Sequence, residues 1–530
     1  MITGRDRGKK GICMKRFALF LLVLILLCTA SAAGEKGLNM SDNSRVFYEI
    51  FVGSFSDSDG DGIGDIRGII NRMDYLNDGD PASGKSLGIG GIWLTPVFLS
   101  PTYHKYDVTD YYQIDPAFGT LEDLQELIAL CHERDVKLIL DLPLNHTSTQ
   151  CRWFKNFSNA HLMHSESNEY YDFYTWLSPD DPIPAGRHFT KLPSGILYES
   201  NFSDGMPELN FDSDAVRQAV LDVAVYWLNL GIDGFRFDAA KYPYYGEHDK
   251  NAEFWLWYLD ELKKVNPDVY TVAEVWDGDG VIERYLPAFN CFHFSFSQSE
   301  GLIAKTAAGG DVNKFVVAVK KYQDSIRAVN PDAMDVLFIA NHDTDRAAGY
   351  LPMSNGRAQM AANLYLLSPG SPFIYYGEEI GLRGSRGGEN TDANRRLAML
   401  WGDGDTVQDP AGSTYDKQTP YTVQDLEAID GSILWHYRKL MALRAANPEI
   451  AHGTYTPLTF TDTKAAGFLC EWNGSTVAVF HNTTTSEKQL DLSLLDVTFT
   501  EVTSISVSGA EAAFDGTSLV LPPQSSAILR

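Results

Sequence analysis

The sequence predicts a parallel (β/α)₈ barrel carrying an inserted subdomain, followed by an antiparallel β-sandwich. Three observations carry that prediction. Eight short apolar runs alternate with helical patterns through the first four-fifths of the chain. About sixty residues after the third run lack that alternation, too many for an ordinary connection. From about Ile450 the texture changes to short Thr/Val/Ser-rich runs separated by turns. The expected boundaries are 33–145 and 210–446 for the barrel, 146–209 for the subdomain and 447–530 for the sandwich.

Taken in order, the strands are expected at Val46–Val52, Gly91–Pro96, Lys137–Asp141, Ile232–Phe237, Val269–Val275, Cys291–Phe296, Val336–Ala340 and Pro372–Gly377. Helical spacing falls at Leu121–Arg134, Ala215–Asn229, Ala252–Lys264, Val312–Val329, Arg357–Leu367 and Ile433–Arg444. Strands near Ser475–His481 and Ser525–Arg530 belong to the last domain.

The N-terminus reads as an export signal over 1–32. Lys15 and Arg16 precede an apolar run from Phe17 to Leu27, then Ala30-Ser31-Ala32. That run is too short to span a bilayer. Residues 1–13 lie ahead of a second start, Met14. Cys28 offers lipid anchoring as the lesser alternative, because the large Leu27 precedes it. The expected location is therefore extracellular. Four cysteines remain: Cys131, Cys151, Cys291 and Cys470. None has CxxC spacing, so zinc and redox motifs are not indicated, while one unassigned disulfide is open. The net charge of −27 argues against nucleic acid as a partner. No protein partner is indicated, and a monomer acting on a neutral ligand is expected.

Asp57-Ser-Asp-Gly-Asp-Gly-Ile-Gly-Asp65 reads as a calcium loop. Alternate carboxylates separated by glycines supply the oxygens a hard cation requires. Asp57, Asp59, Asp61, the Ile63 carbonyl and Asp65 occupy the odd positions of an EF-hand. Gly68 stands where that motif has glutamate, so the loop is related rather than identical. The bland alternative is a solvated acidic turn.

Conspicuous polar residues follow the barrel strands: Asn145 and His146, Arg236 and Asp238, Glu274, His342 and Asp343. In such barrels that end holds the active site. Arg236 and Asp238 point to one side of a strand whose other side is Phe235 and Phe237. An isolated Arg-x-Asp would be a structural ion pair. With carboxylates on separate strands it becomes a glycosidase-like set, one acid attacking and another donating a proton.

The ordered motifs resemble the α-amylase family of glycoside hydrolases over almost the whole chain after the signal. They are Asp141-Leu-Pro-Leu-Asn-His146, Met206-Pro-Glu-Leu-Asn210, Gly234-Phe-Arg-Phe-Asp-Ala-Ala-Lys241, Glu274 within Val272–Val275, and Phe338-Ile-Ala-Asn-His-Asp343. The resemblance implies that Asp238 is the nucleophile, Glu274 the acid/base and Asp343 the transition-state stabiliser. It assigns Arg236, His146, His342, Lys241 and Tyr106 to sugar binding, with Tyr106 stacking on the ring at the cleavage point. It also implies retention of configuration and an α-1,4-glucan such as starch or a maltooligosaccharide. Ala239 and Met206 differ from the pattern of α-1,6-specific relatives. An oligosaccharide α-glucosidase or transglycosylase is the alternative enzyme; a non-catalytic glycan-binding relative usually lacks one of the acids present here.

Arg236 favours the ionised form of its neighbour Asp238, whereas Glu274, facing two carboxylates, should hold a proton near neutrality. Two departures stand out. Pro143 replaces the usual valine of the first motif, and Tyr242 replaces a calcium-associated histidine. A phenol is a poor ligand for a hard cation, so one Ca²⁺ is expected, in the aspartate loop. Tyr242 is expected to pack on the subdomain and hydrogen-bond Asn145.

Overall fold

The structure is a computed structural model that describes residues 44–387 and 391–530. The export segment, Met14 and Cys28 lie outside the described residues.

Seven parallel strands form the central sheet: β1 (Phe47–Ile50), β2 (Gly91–Leu94), β3 (Lys137–Leu142), β4 (Gly234–Phe237), β5 (Tyr270–Ala273), β6 (Asn290–Cys291) and β7 (Phe373–Tyr375). Their order is β6-β5-β4-β3-β2-β1-β7. The Val336–Ala340 run, expected as a full strand, fills the remaining gap through a single bridge between Phe292 and Val336. The His293 amide donates to the Val336 carbonyl at 3.0 Å, and the Phe373 amide donates to the Leu337 carbonyl at 2.8 Å. Pairing stops there because the Ile339 carbonyl turns to the Gln298 amide and the Tyr350 hydroxyl. Likewise the Cys291–Phe296 run pairs only at its start.

The barrel interior is packed with Phe47, Trp93, Ile139, Tyr270, Val272, Phe292, Phe294, Val336, Phe338 and Phe373. Side chains alternate along a strand, so the next inward position sits two residues on. Phe47 is followed inward by Glu49, Ile139 by Asp141 and Val272 by Glu274. The apolar plug therefore gives way to charge at the carboxyl ends of the strands. Gly234 has no side chain for a steric reason: a Cβ there would lie 1.9 Å from the Tyr270 carbonyl on β5.

Between β3 and β4 the expected irregular segment contains more order than its composition suggested. A helix spans Arg152–Leu162, with Phe154, Phe157, Ala160 and His161 on its buried face. Three short antiparallel strands follow at Trp176–Leu177, Phe189–Lys191 and Leu197–Glu199. Bridges from His146 to Glu208 and from Tyr174 to Leu209 tie this segment together beside the barrel mouth.

The last domain has a five-stranded and a three-stranded antiparallel sheet. Leu490, Leu519, Leu521, Phe480 and Leu529 fill the space between them. Cys131, Cys151, Cys291 and Cys470 are all buried thiols, so none of these four is in a disulfide.

Candidate active site

Arg236 is the hub of the site. One of its guanidinium nitrogens donates to both oxygens of Asp141, at 2.8 and 3.0 Å, and to Asp238 at 2.7 Å. The other donates to Glu274. The guanidinium lies 5.1 Å from the Trp93 ring. Arg236 and Asp141 are completely enclosed, so three carboxylates share one buried cation. Such a charge is sustainable only because acidic groups surround it and accept its hydrogen bonds. Asp238 takes no second hydrogen bond from the described residues, which leaves its other oxygen available.

Directly after Asp238 the chain makes a sharp turn. Ala239 adopts φ 47°, a left-handed conformation that costs an alanine about 1 kcal/mol or more. Lys105 (φ 63°) does the same just before Tyr106, its ammonium held 2.7 Å from Asp115. Strain on both sides of one cluster is a pattern of functional sites.

Burial pushes the Glu274 carboxyl up to about 8; Arg236 opposes this, and Asp238 and Asp343 add to it. For Asp343 the balance is reversed. Burial would raise its pKa, but His342 and Arg396 hold it well below the usual carboxylate range. The His342 Nε2 lies 3.1 Å from Asp343, and Arg396 donates to the other oxygen at 2.7 Å. Two neighbouring carboxylic groups thus favour opposite protonation states.

Tyr106 lies parallel to His342, with ring centres 5.5 Å apart. Its hydroxyl donates to Asp141 at 2.9 Å and faces the His342 Nε2 at 2.6 Å. His146 is enclosed, its Nε2 without a partner among the described residues, and burial lowers its pKa. Lys241 stands apart from the cluster. Its ammonium donates to the Trp276 carbonyl at 2.7 Å and to Asp277 at 3.0 Å.

The expected bond between Tyr242 and Asn145 is not formed. Tyr242 packs on Phe202 and Tyr245, with ring centres 4.9 and 5.8 Å away. The Asn145 amide nitrogen lies 3.4 Å from His146, and its carbonyl oxygen is buried without a partner among the described residues. The phenol therefore meets the subdomain through ring packing on Phe202 rather than through a hydrogen bond to Asn145.

In the aspartate loop, carboxylate oxygens of Asp57, Asp59 and Asp61 lie within 4.8 Å of one another. Asp65 does not join them. It caps the helix Ile66–Asn71 through the Gly68 amide at 2.6 Å and accepts from Ser58 at 2.8 Å. The Ile63 amide donates to Asp61 at 2.7 Å, and the Ile63 side chain faces solvent. Three oxygens at this spacing suit a hard cation.

Four residues of the site escaped the sequence reading. Glu49 holds His342; Arg396 grips Asp343, and its guanidinium also donates to the Tyr103 hydroxyl at 3.1 Å. Trp276 is 39% exposed two residues after Glu274, and its ring is stacked on Phe294 at 4.8 Å. Glu49 had a signal, a charge inside an apolar strand. Arg396 lies in a loop without periodicity, and nothing local marked it.

The chain matches the model described as "Alpha amylase, catalytic domain" over residues 49–453. It is 34% identical to Alpha-amylase 3 of Dictyoglomus thermophilum, over 88% of this chain and 90% of that protein. It is 30% identical to a 4-alpha-glucanotransferase of Thermotoga neapolitana, over 65% of this chain and 74% of that one. Among solved structures it resembles Eubacterium rectale Amy13B, with a TM-score of 0.85 and 33% identity, covering 94% of this chain and 97% of the other. With a barrel whose charged end carries these acids, and with matches spanning most of its length, the chain belongs to the α-amylase family of glycoside hydrolases.

Proposed function

We propose that this protein is a secreted, retaining hydrolase of α-1,4-glucosidic bonds in starch and maltooligosaccharides. The observation that carries the reading is the sharing of Arg236 by Asp238 and Glu274. Bonding to one guanidinium draws the two carboxyls together, which is compatible with the separation of about 5–5.5 Å that double displacement needs.

In this reading Asp238 attacks the anomeric carbon while Glu274, protonated, gives its proton to the departing oxygen. The glycosyl–Asp238 ester forms as the glycosidic bond breaks. Glu274, now ionised, takes a proton from water, which attacks the same carbon and releases Asp238. Asp343, kept anionic, stabilises the positive charge that develops on the sugar. Tyr106, His146 and His342 line the sugar's position. Lys241 steadies the Trp276 loop, on the side where Glu274 would release the leaving group.

The decisive experiment is anomer-resolved NMR of products from maltoheptaose, with starch, isomaltose and pullulan as competing substrates. Initial release of the α-anomer from α-1,4 substrates is expected. Initial β-anomer, or preference for isomaltose, would refute the reading. A second reading, transfer to another sugar rather than to water, is favoured by the relative named as a 4-alpha-glucanotransferase. It would appear as products longer than the substrate.

The donor set of the aspartate loop supports one structural Ca²⁺ held by Asp57, Asp59 and Asp61, with the Ile63 carbonyl. Asp65 would contribute only on leaving its cap. Export rests on the reading of residues 1–32 and is tested by mass analysis of the mature N-terminus.

A further inference from the structure

The inner face of β1 carries one charged residue, Glu49, and it is almost completely buried. Its Oε1 accepts from the His342 ring Nδ1–H at 2.6 Å and from the His342 backbone amide at 3.2 Å. The opposite ring nitrogen, Nε2, faces the Tyr106 hydroxyl at 2.6 Å and an Asp343 oxygen at 3.1 Å. The Tyr106 hydroxyl also lies 2.9 Å from Asp141, so it can accept from His342 while donating there. Each ring nitrogen therefore faces a carboxylate, Glu49 at Nδ1 and Asp343 at Nε2. A neutral ring offers one N–H; this environment asks for two.

We propose that Glu49 is a positioning residue that keeps His342 as an imidazolium, and that this cation fixes Asp343 in its anionic, aligned form. The proposal rests on the assignment of Asp343 as the transition-state stabiliser and deepens it. Glu49 and Asp343 are 294 positions apart in sequence, yet one ring joins them. Among the described residues the Glu49 carboxyl hydrogen-bonds only His342, so its influence on Asp343 passes through that ring.

The groups facing His342 can be named element by element. Glu49 comes from β1, Trp93 from β2 with its ring 5.6 Å away and edge-on, and Tyr106 from the loop after β2. Asp343 follows in its own segment, and Arg396 donates to the His342 carbonyl at 3.1 Å. Asp141 and Glu274 lie within electrostatic reach. Burial would strip the ring of its charge, but Asp343 and Glu49 outweigh it and raise its pKa to about 10. Because the folded value exceeds the ordinary one, the charged ring persists as pH rises and is lost only near that value.

The test is Glu49→Gln, which keeps an acceptor oxygen and removes the charge. Two readouts are needed: ¹³Cε1 NMR titration of His342, assigned with His342→Asn, and the pH profile of kcat/KM on maltoheptaose. In the wild-type protein His342 should remain doubly protonated through pH 8. In Glu49→Gln it should titrate about three units lower, near or below pH 7. Activity should fall tenfold or more at pH 8 and recover most of that loss at pH 5.5, where the ring regains its proton. Glu49→Asp, retaining the charge, should restore the charged ring at pH 8. A loss of equal size at every pH, or a His342 titration unchanged by Glu49→Gln, would overturn the proposal. The titration does not depend on turnover. Full activity of Asp343→Asn would instead defeat the underlying reading while leaving the NMR result standing.

Discussion

The molecule holds two clusters of acids, and they are neutralised in different ways. At the barrel mouth Glu49, Asp141, Asp238, Glu274 and Asp343 are interleaved with Arg236, His342 and Arg396. In the loop, Asp57, Asp59 and Asp61 form no ion pair among the described residues and accept chiefly from backbone amides. Amide dipoles offset such charge only partly. The comparison teaches that the first cluster is neutralised by cations of the chain itself, whereas the second is offset chiefly by backbone dipoles.

Removing a carboxylate from the first cluster should have the largest effect. Asp238→Asn, Glu274→Gln and Asp343→Asn are each expected to lower kcat on maltodextrin by roughly three to four orders of magnitude. Circular dichroism should remain unchanged. Near-normal turnover by any of them would mean that the cluster is structural.

Removing a cation should cost less. Arg396→Gln leaves Asp343 with His342 alone, and kcat/KM should fall about 10–100-fold. The loss should deepen at alkaline pH, as His342 in turn gives up its charge near pH 10. If Arg396→Gln changed only thermal stability, the guanidinium would belong to the loop and not to the chemistry.

Protonation gives a third test. Glu274 is the proposed acid, so kcat/KM should decline with a midpoint near pH 8 as it ionises. Stability follows the same direction. Glu208 and Glu378, with buried carboxyls raised to about 8 and about 7, also bind protons more tightly when folded. Their contribution to stability therefore falls as pH climbs from the ordinary carboxylate range through about 8. His436, His481 and His104, kept neutral by burial, act oppositely, but only up to the ordinary imidazole value of about 6.5. Melting temperature measured from pH 6.5 to 8.5 should decrease; a steady increase would contradict the burial assigned to these acids.

For the second cluster, excess chelator should lower the melting temperature by several degrees, because a ligand at 100 times its Kd adds about 2.7 kcal/mol. Asp59→Asn with Asp61→Asn should abolish that response while leaving kcat near normal at low temperature. An unchanged melt with no bound metal by elemental analysis would make the loop a hydrogen-bonded turn. The smallest effect is expected from Trp276→Ala, a rise of several-fold in KM on long maltodextrins with kcat little altered.

The barrel could be read from the sequence because alternation along a strand and spacing along a helix are local properties. Ile139 and Asp141, or Val272 and Glu274, declare their side of the sheet within three residues. The Val336–Ala340 run was misjudged as a full strand because apolarity cannot report where ladder pairing ends. The helix Arg152–Leu162 was missed because its buried face uses aromatics and a histidine amid polar neighbours. Tyr242 was assigned to Asn145 from chemistry alone; its ring instead follows Phe202, which no short-range pattern places beside it.

The sequence by itself determined the alternating barrel, the all-β texture after Ile450, and the identities of the acids at the strand ends. Each follows from side-chain chemistry repeated at a fixed backbone period. Only the tertiary structure decided which charges share a partner. Arg236 collects Asp141, Asp238 and Glu274 from three strands, Arg396 returns from a distant loop to Asp343, and Glu49 on β1 meets His342 from the segment on the far side of β7. Electrostatic coupling depends on separation and burial, and neither is encoded in the distance along the chain.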